Sequence, residues 1–225
     1  MTGQNGPDLR SGRAHEVVAS EAGDAAARVF AAWVAANRGT AKRAGICLWI
    51  AGGRMPPLCP HGLSGLLDPD ALILVEVDTP LDGLWTAEEG LRSGAVGTVV
   101  LESERPLDLL QSRRLQLAAE AGGGVGLFLG PDSGNTAAET RWQCRALPSA
   151  DMRVIRFDWQ QVKNKKGPLI AREALRDEAT GRMRMAAVSG GGAGAEECPG
   201  SGPAFRGDSR GRQQLEALLA EHGSP

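Results

Sequence analysis

Residues 72–103 constrain the fold of this chain more than any other stretch, because they hold a strand, a helix and a second strand without interruption. Residues 72–77 and 95–101 are short aliphatic and β-branched runs, which predict strands buried on both faces of a parallel sheet. Between them, Thr79 can cap a helix and Gly94 suits its left-handed end. The spacing therefore predicts a βαβ unit with a right-handed crossover.

The helix of this unit has a predicted apolar face. Four large apolar residues recur in it at helical spacing: Leu81, Leu84, Trp85 and Leu91. Three charged residues fall between them: Glu88, Glu89 and Arg92. We expect the apolar residues to pack on the sheet and the charged residues to remain in water.

Further apolar runs and their caps predict the other elements of the chain. Strands are predicted at residues 15–19, 46–50 and 125–129, and helices at residues 25–37 and 108–121. From Thr140 onward, apolar and polar residues alternate, which predicts antiparallel strands at residues 140–146 and 152–162. Residues 169–175 fit either a returning strand or a helix. The whole pattern predicts an α/β fold, a mostly parallel sheet flanked by helices with antiparallel strands added toward the C-terminus.

Composition sets the domain organisation. With 225 residues, 42% of them hydrophobic, the chain can bury one sizeable core. The polar residues 1–13 predict a flexible arm, and residues 14–187 the folded domain. Residues 188–211, rich in Gly, Ser and Pro, predict a disordered linker before a short helix at residues 212–225. That helix carries an apolar stripe that could dock into a partner's groove: Leu215, Leu218 and Leu219.

Charge and cysteine content exclude several functions. The net charge of −2 gives no overall electrostatic attraction for nucleic acid or an anionic membrane. The four cysteines form no C-x-x-C pair, so we expect reduced thiols, no metal site and no cofactor. The first residues lack an apolar core of a signal peptide, and no apolar run reaches the roughly 20 residues of a membrane helix. The sequence therefore predicts a cytoplasmic protein without membrane contact.

Residues 18–25 occupy the position at which a phosphate-binding loop would follow the first strand. A working loop has the pattern G-x-x-x-x-G-K-[ST], in which backbone amides, a lysine and a hydroxyl hold the phosphates and Mg²⁺. Here only Gly23 matches, Asp24 replaces the lysine, and Ala25 cannot bind metal. Because an anion at this position repels a triphosphate, we expect no nucleotide binding and no enzymatic activity.

The end of the second strand of the βαβ unit carries one acid, Glu102, where an ATPase would hold its metal-binding acid. Without the lysine and the hydroxyl, we interpret Glu102 as a solvated strand end.

A basic segment is the best local candidate for nucleic-acid or partner contact. Between Arg141 and Arg184 the chain has 11 Lys or Arg and 5 Asp or Glu, a local net charge of +6. Trp142 and Trp159 could stack on bases, although tryptophans are more often core residues. A solvated basic face is the favoured interpretation, and weak DNA contact is the alternative.

Two sets of residues resemble known families. Residues 67–103 resemble the core of RecA-type recombinases. The segments HEVVASEAGDAA, RRLQLAAEAGG and AAETRW more closely resemble the ImuA family, and the resemblance covers about residues 14–168. ImuA proteins are RecA-like accessory factors, sometimes labelled SulA-like.

The resemblance implies a role in the SOS response, in translesion DNA synthesis and damage-induced mutagenesis. The implied partners are ImuB, a catalytically inactive relative of Y-family polymerases, and an error-prone replicative-type DNA polymerase. Val162-Lys163-Asn164-Lys165 is similar to a RecA segment whose lysines reach the nucleotide of a neighbouring subunit. Three lysines are therefore candidates for a subunit or nucleic-acid contact: Lys163, Lys165 and Lys166.

The sequence thus predicts a non-catalytic scaffold in damage-tolerance DNA synthesis. Three alternatives remain open: a modulator of RecA filaments that contacts RecA directly, an ATPase with an unusual loop that depends on Glu102, and a SulA-like inhibitor of cell division.

Overall fold

A computed structural model of the chain describes residues 6–7, 9–19, 24–38, 45–52, 55–63 and 65–186. The chain divides into two units, Met1–Val188 and Ser189–Pro225, and every described residue belongs to the first. Gly23, the predicted linker and the helix with Leu215, Leu218 and Leu219 lie outside the described residues.

Strands and helices alternate in the first two thirds of the domain and only strands follow. In chain order the elements are β1 (Arg13–Val18), α1 (Ala25–Ala36), β2 (Cys47–Gly52), β3 (Leu72–Val77), α2 (Pro80–Ser93), β4 (Thr98–Glu102), α3 (Leu109–Gly122), β5 (Val125–Gly130), β6 (Thr140–Leu147), β7 (Val154–Asn164), β8 (Ala171–Asp177) and β9 (Met183–Met185). Residues 169–175, for which strand and helix were both open, form mainly strand β8. The three-residue strand β9 was not predicted.

The nine strands of the described residues join one sheet in the order β3-β2-β4-β5-β1-β6-β7-β8-β9. The six strands from β3 to β6 run parallel, and β7, β8 and β9 add antiparallel. The predicted fold class is confirmed. One detail was wrong, because β6 runs parallel to β1 and the antiparallel part begins only at β7.

Two apolar cores lie on opposite faces of the sheet. Helix α1 fills the first, since its residues 26–35 are all buried, and Phe30 packs against Trp142 and Trp159. Helices α2 and α3 cover the other face, where Leu91 and Leu115 meet the strand residues. The described part of the predicted N-terminal arm contributes as well, because Leu9 is buried in the first core.

The buried face of α2 differs from the prediction. Leu81 and Trp85 are 70% and 62% exposed, whereas Glu88 is only 8% exposed. The residues buried against the strands are small ones such as Gly83 and Ala87, together with Leu91. Small residues allow a close approach of the helix to the sheet, since a Cβ on Gly83 would lie 3.3 Å from Leu101 Cδ1. The apolar spacing was read correctly as helical, but the face was assigned wrongly.

Strand β3 also departs from the prediction. It forms one edge of the sheet and pairs only with β2 among the described residues, so it is not buried on both faces. Ile73 and Leu74 are 48% and 44% exposed. An edge strand with aliphatic side chains has the composition of a central one, so sequence pattern alone does not distinguish them.

Candidate functional site

At the end of the predicted phosphate-loop position, Asp24 occupies the start of α1 with its own carboxylate. Asp24 is the N-cap of α1, and its side chain accepts hydrogen bonds from the backbone amides of Ala26 at 2.8 Å and Ala27 at 3.3 Å. These are amides of the kind that bind phosphate at a helix N-terminus. Because Asp24 accepts from them, an incoming phosphate would have to displace a carboxylate as well as approach its negative charge.

One turn into α1, Arg28 reaches Glu102 at the carboxyl end of β4. Arg28 Nε lies 2.9 Å from Glu102 Oε1, and Nη2 lies 2.9 Å from Oε2, so the guanidinium binds the carboxylate through two nitrogens. Trp49 of β2 donates from Nε1 to Glu102 Oε1 at 2.7 Å. The same guanidinium donates to the carbonyl of Pro56 at 2.6 Å. We call Arg28, Trp49 and Glu102 the Arg28–Glu102 cluster.

The cluster is an interior ion pair. The side chains of Arg28 and Glu102 are 11% and 1% exposed. The interpretation of Glu102 as a solvated strand end is therefore wrong. Both of its oxygens accept from the chain's own donors, an arrangement that satisfies a buried carboxylate. In this geometry Glu102 joins α1, β2 and β4 at the end of the sheet where ligands of α/β proteins usually bind.

Sequence reasoning missed Arg28, although a signal was present. The helix reads AAARVFAAWVAA, in which Arg28 is the one charged residue of a segment that is otherwise entirely apolar. A charge within an all-apolar helix predicts burial, and burial of a charge requires a partner. The partner's identity could not be read, because Glu102 follows 74 residues later.

A second buried ion pair connects β1 with β6. Glu16 and Arg141 are register partners on these parallel strands, and Arg141 Nε lies 2.7 Å from Glu16 Oε2. The guanidinium also binds the carbonyl of Gly134 at 2.7 Å and the carboxylate of Asp132 at 2.7 Å. The amide of Ser133 donates to Glu16 Oε1 at 3.2 Å. These contacts fasten the connection between β5 and β6 to the sheet.

The candidate lysines divide into two kinds. The amines of Lys163 and Lys165 donate to the carbonyls of Thr136 at 2.9 Å and Ala137 at 2.7 Å, in the same connection before β6. Burial, reinforced by Lys165 and Arg141, lowers the pKa of Lys163 below its ordinary value. Lys166 is exposed. Within this domain, two of the three lysines thus hold the chain's own backbone.

The basic segment lacks the stacking groups that nucleic-acid binding would use. Trp142 and Trp159 are both 0% exposed, so the suggestion that they stack on bases is wrong. Part of the positive charge is paired within the strands, for example Arg145 with Asp158 at 3.0 Å and Arg156 with Glu173 at 2.7 Å. What remains is a partly neutralised surface of solvated arginines and Lys166.

The described residues offer neither a metal site nor a membrane-spanning helix. No group of three or more His, Cys, Asp or Glu side chains in this part of the chain could hold a metal ion. None of its helices combines the length and the apolar content needed to span a bilayer.

Comparison with known proteins shows similarity to proteins of one name. No family model matches the chain. Two curated sequences named Protein ImuA, from Caulobacter vibrioides strains NA1000 / CB15N and ATCC 19089 / CIP 103742 / CB 15, are each 35% identical to it over 159 residues. Each match covers 64% of this chain and 64% of the relative, so the chain spans somewhat less than two thirds of these relatives.

Proposed function

We propose that this chain is a member of the ImuA family, to two members of which it is 35% identical over 159 residues, and that it is a non-catalytic accessory protein of SOS-induced translesion DNA synthesis and mutagenesis. Its partners in this role are an ImuB-like relative of Y-family polymerases and an error-prone replicative-type DNA polymerase. It acts in the cytoplasm, as a protein that joins other proteins.

The Arg28–Glu102 cluster is the observation that supports a non-catalytic role. A metal-dependent ATPase would need an acid with free oxygens at the end of β4, whereas Glu102 accepts from Arg28 and Trp49. It would also need donors at the start of α1, where Asp24 already accepts from two amides. Both features favour an interior that stabilises the fold over one that binds a nucleotide.

One experiment distinguishes a structural role of the charges in this cluster from a catalytic one. The double variant Arg28→Met/Glu102→Gln removes both charges but keeps an oxygen that can accept from Trp49. In a strain lacking the chromosomal gene, it should restore ultraviolet-induced mutagenesis to the level of the unaltered gene, provided that circular dichroism shows it to be folded. A folded double variant without mutagenesis would show that the charges act in chemistry and would overturn the non-catalytic assignment.

Two further measurements test the remaining parts of the proposal. Deletion of the gene should abolish most ultraviolet-induced mutagenesis, and unchanged mutagenesis would exclude the family role. Titration of the full chain with Mg–ATP in a calorimeter should give no binding heat. Micromolar binding of ATP would restore the ATPase alternative.

A further inference from the structure

In the part of the chain that the structure describes, β3 is the last strand at one edge of the sheet. Its inner edge pairs with β2 from Leu72 to Val77, and no described residue pairs with its outer edge. Proteins usually cover or shorten such an edge, because its unpaired N–H and C=O groups bind other extended chains. Here the strand has six residues, and two aliphatic ones, Ile73 and Leu74, remain about half exposed at 48% and 44%.

Apolar groups suited to anchoring a bound strand lie near this edge. A cleft beside β3 is lined by apolar residues that include Met55, Leu58 and Leu74. Apolar side chains gathered beside an exposed strand are typical of surfaces that bind proteins.

The charged residues in the sequence around β3 are all acidic. Residues 68–89 contain seven acidic side chains and no Lys, Arg or His. Six of these acids are exposed: Asp68, Asp70, Glu76, Asp78, Asp82 and Glu89. Glu76 and Asp78, on β3 and directly after it, form no salt bridge with any described residue.

This charge selects the kind of chain that the edge can accept. A second copy that paired through its own β3 would bring two acidic surfaces together, and the juxtaposition of like charges disfavours such a pair. An extended segment in which apolar residues alternate with Lys or Arg would gain backbone hydrogen bonds, apolar contact and opposite charge together.

We infer that the outer edge of β3 is a docking site for an extended basic segment of a partner protein, which joins the sheet as a tenth strand. Trp49 of the Arg28–Glu102 cluster also lines the cleft beside this edge, whereas the basic surface of β6 to β9 lies at the other end of the strand order. The docking site specifies the chemistry of a partner and does not depend on a role in mutagenesis.

The experiment uses the full chain as bait and a phage-displayed library of short random peptides as the probe. Enriched peptides should alternate apolar residues with Lys or Arg. Hydrogen exchange measured by mass spectrometry should show that, in the isolated chain, about half of the amides of residues 72–77 exchange fast, namely those that do not bond to β2. A saturating synthetic copy of an enriched peptide should slow that exchange at least about tenfold.

Two double variants with the same change in net charge test whether peptide binding depends on this edge. Glu76→Lys/Asp78→Lys should weaken peptide binding at least about tenfold at low salt, since it reverses two charges beside the strand. Asp151→Lys/Glu178→Lys makes the same change in net charge at exposed positions far along the chain and should leave the affinity unchanged. Fluorescence anisotropy of the labelled peptide gives both values.

Four outcomes would overturn the inference. They are failure to enrich basic alternating peptides, equal weakening by both double variants, protection of a segment other than residues 72–77, and slow exchange of all these residues in the isolated chain. The last result would show that the chain covers the edge itself. Concentration-dependent dimerisation in sedimentation, accompanied by slower exchange at residues 72–77, would identify a second copy as the occupant and would also overturn the inference.

Discussion

Arg28 and Glu102 stand 74 residues apart in the chain, yet Arg28 Nη2 lies 2.9 Å from Glu102 Oε2 in the interior. Arg28 belongs to the helix on one face of the sheet, and Glu102 ends a central strand. The pair therefore fixes α1 against the carboxyl ends of the parallel strands. Trp49 completes it from the neighbouring strand β2.

Removal of one member of this pair should be far more destabilising than removal of both. Arg28→Met leaves a buried carboxylate without its cation, and we expect a loss of about 3–5 kcal/mol in the free energy of unfolding. Arg28→Met/Glu102→Gln should lose less than Arg28→Met alone, because no charge remains buried. Urea denaturation of these variants and of Glu102→Gln measures each free energy of unfolding. If the losses of the two single variants add up to the loss of the double variant, the two side chains are not coupled.

Stability should depend on pH through His15. Burial lowers the pKa of His15 from 6.5 to about 4, with Nδ1 2.8 Å from Thr140 Oγ1. Between these values the unfolded chain binds a proton that the folded chain does not, so folding stability falls as pH falls. From pH 7 to pH 4.5, the unaltered chain should lose about 2–3 kcal/mol more than His15→Gln does. Urea denaturation at both pH values measures this, and equal losses would contradict a neutral buried histidine.

The described cysteines should differ sharply in reactivity. Burial raises the pKa of Cys47 to about 12 and that of Cys144 well above its ordinary value, whereas Cys59 is exposed. Thiolate is the reactive form, so Cys47 and Cys144 should resist a maleimide in the native protein. In a Cys198→Ser background, mass spectrometry should find one label before unfolding and three after it. Rapid labelling of Cys144 in native conditions would show that α1 opens readily from the sheet.

Two adjacent glycines should tolerate alanine differently. A Cβ on Gly122, at the end of α3, would lie 1.8 Å from the backbone oxygen of Leu91 in α2. Gly123 has φ of 75° but no atom within 4 Å of such a Cβ. We expect Gly123→Ala to cost about 1–2 kcal/mol for its left-handed backbone. Gly122→Ala should cost about 3 kcal/mol or more, because two helices must separate. Thermal unfolding of the two variants measures these losses. A larger loss for Gly123→Ala than for Gly122→Ala would contradict the close contact between α2 and α3.

The sequence predicted where most helices and strands begin and end, but it did not predict which of their residues are buried. Thr79 and Gly94 marked the two ends of α2 correctly, because caps are local and depend on a few adjacent residues. The buried face of the same helix was misassigned, because the sheet selected Gly83 and Ala87 for their small size over Leu81 and Trp85. Helical spacing shows that side chains share a face, but it does not show how closely the sheet approaches.

The sequence by itself determined most of the order of strands and helices, the mostly parallel sheet and the departure of residues 18–25 from the phosphate-loop pattern, since periodicity, caps and a missing lysine are local properties of the chain. Only the tertiary structure decided that β3 lies at an edge and that Glu102 is buried against Arg28. Strand order and ion pairing join residues distant in the chain, and their burial depends on which elements the folded sheet brings together.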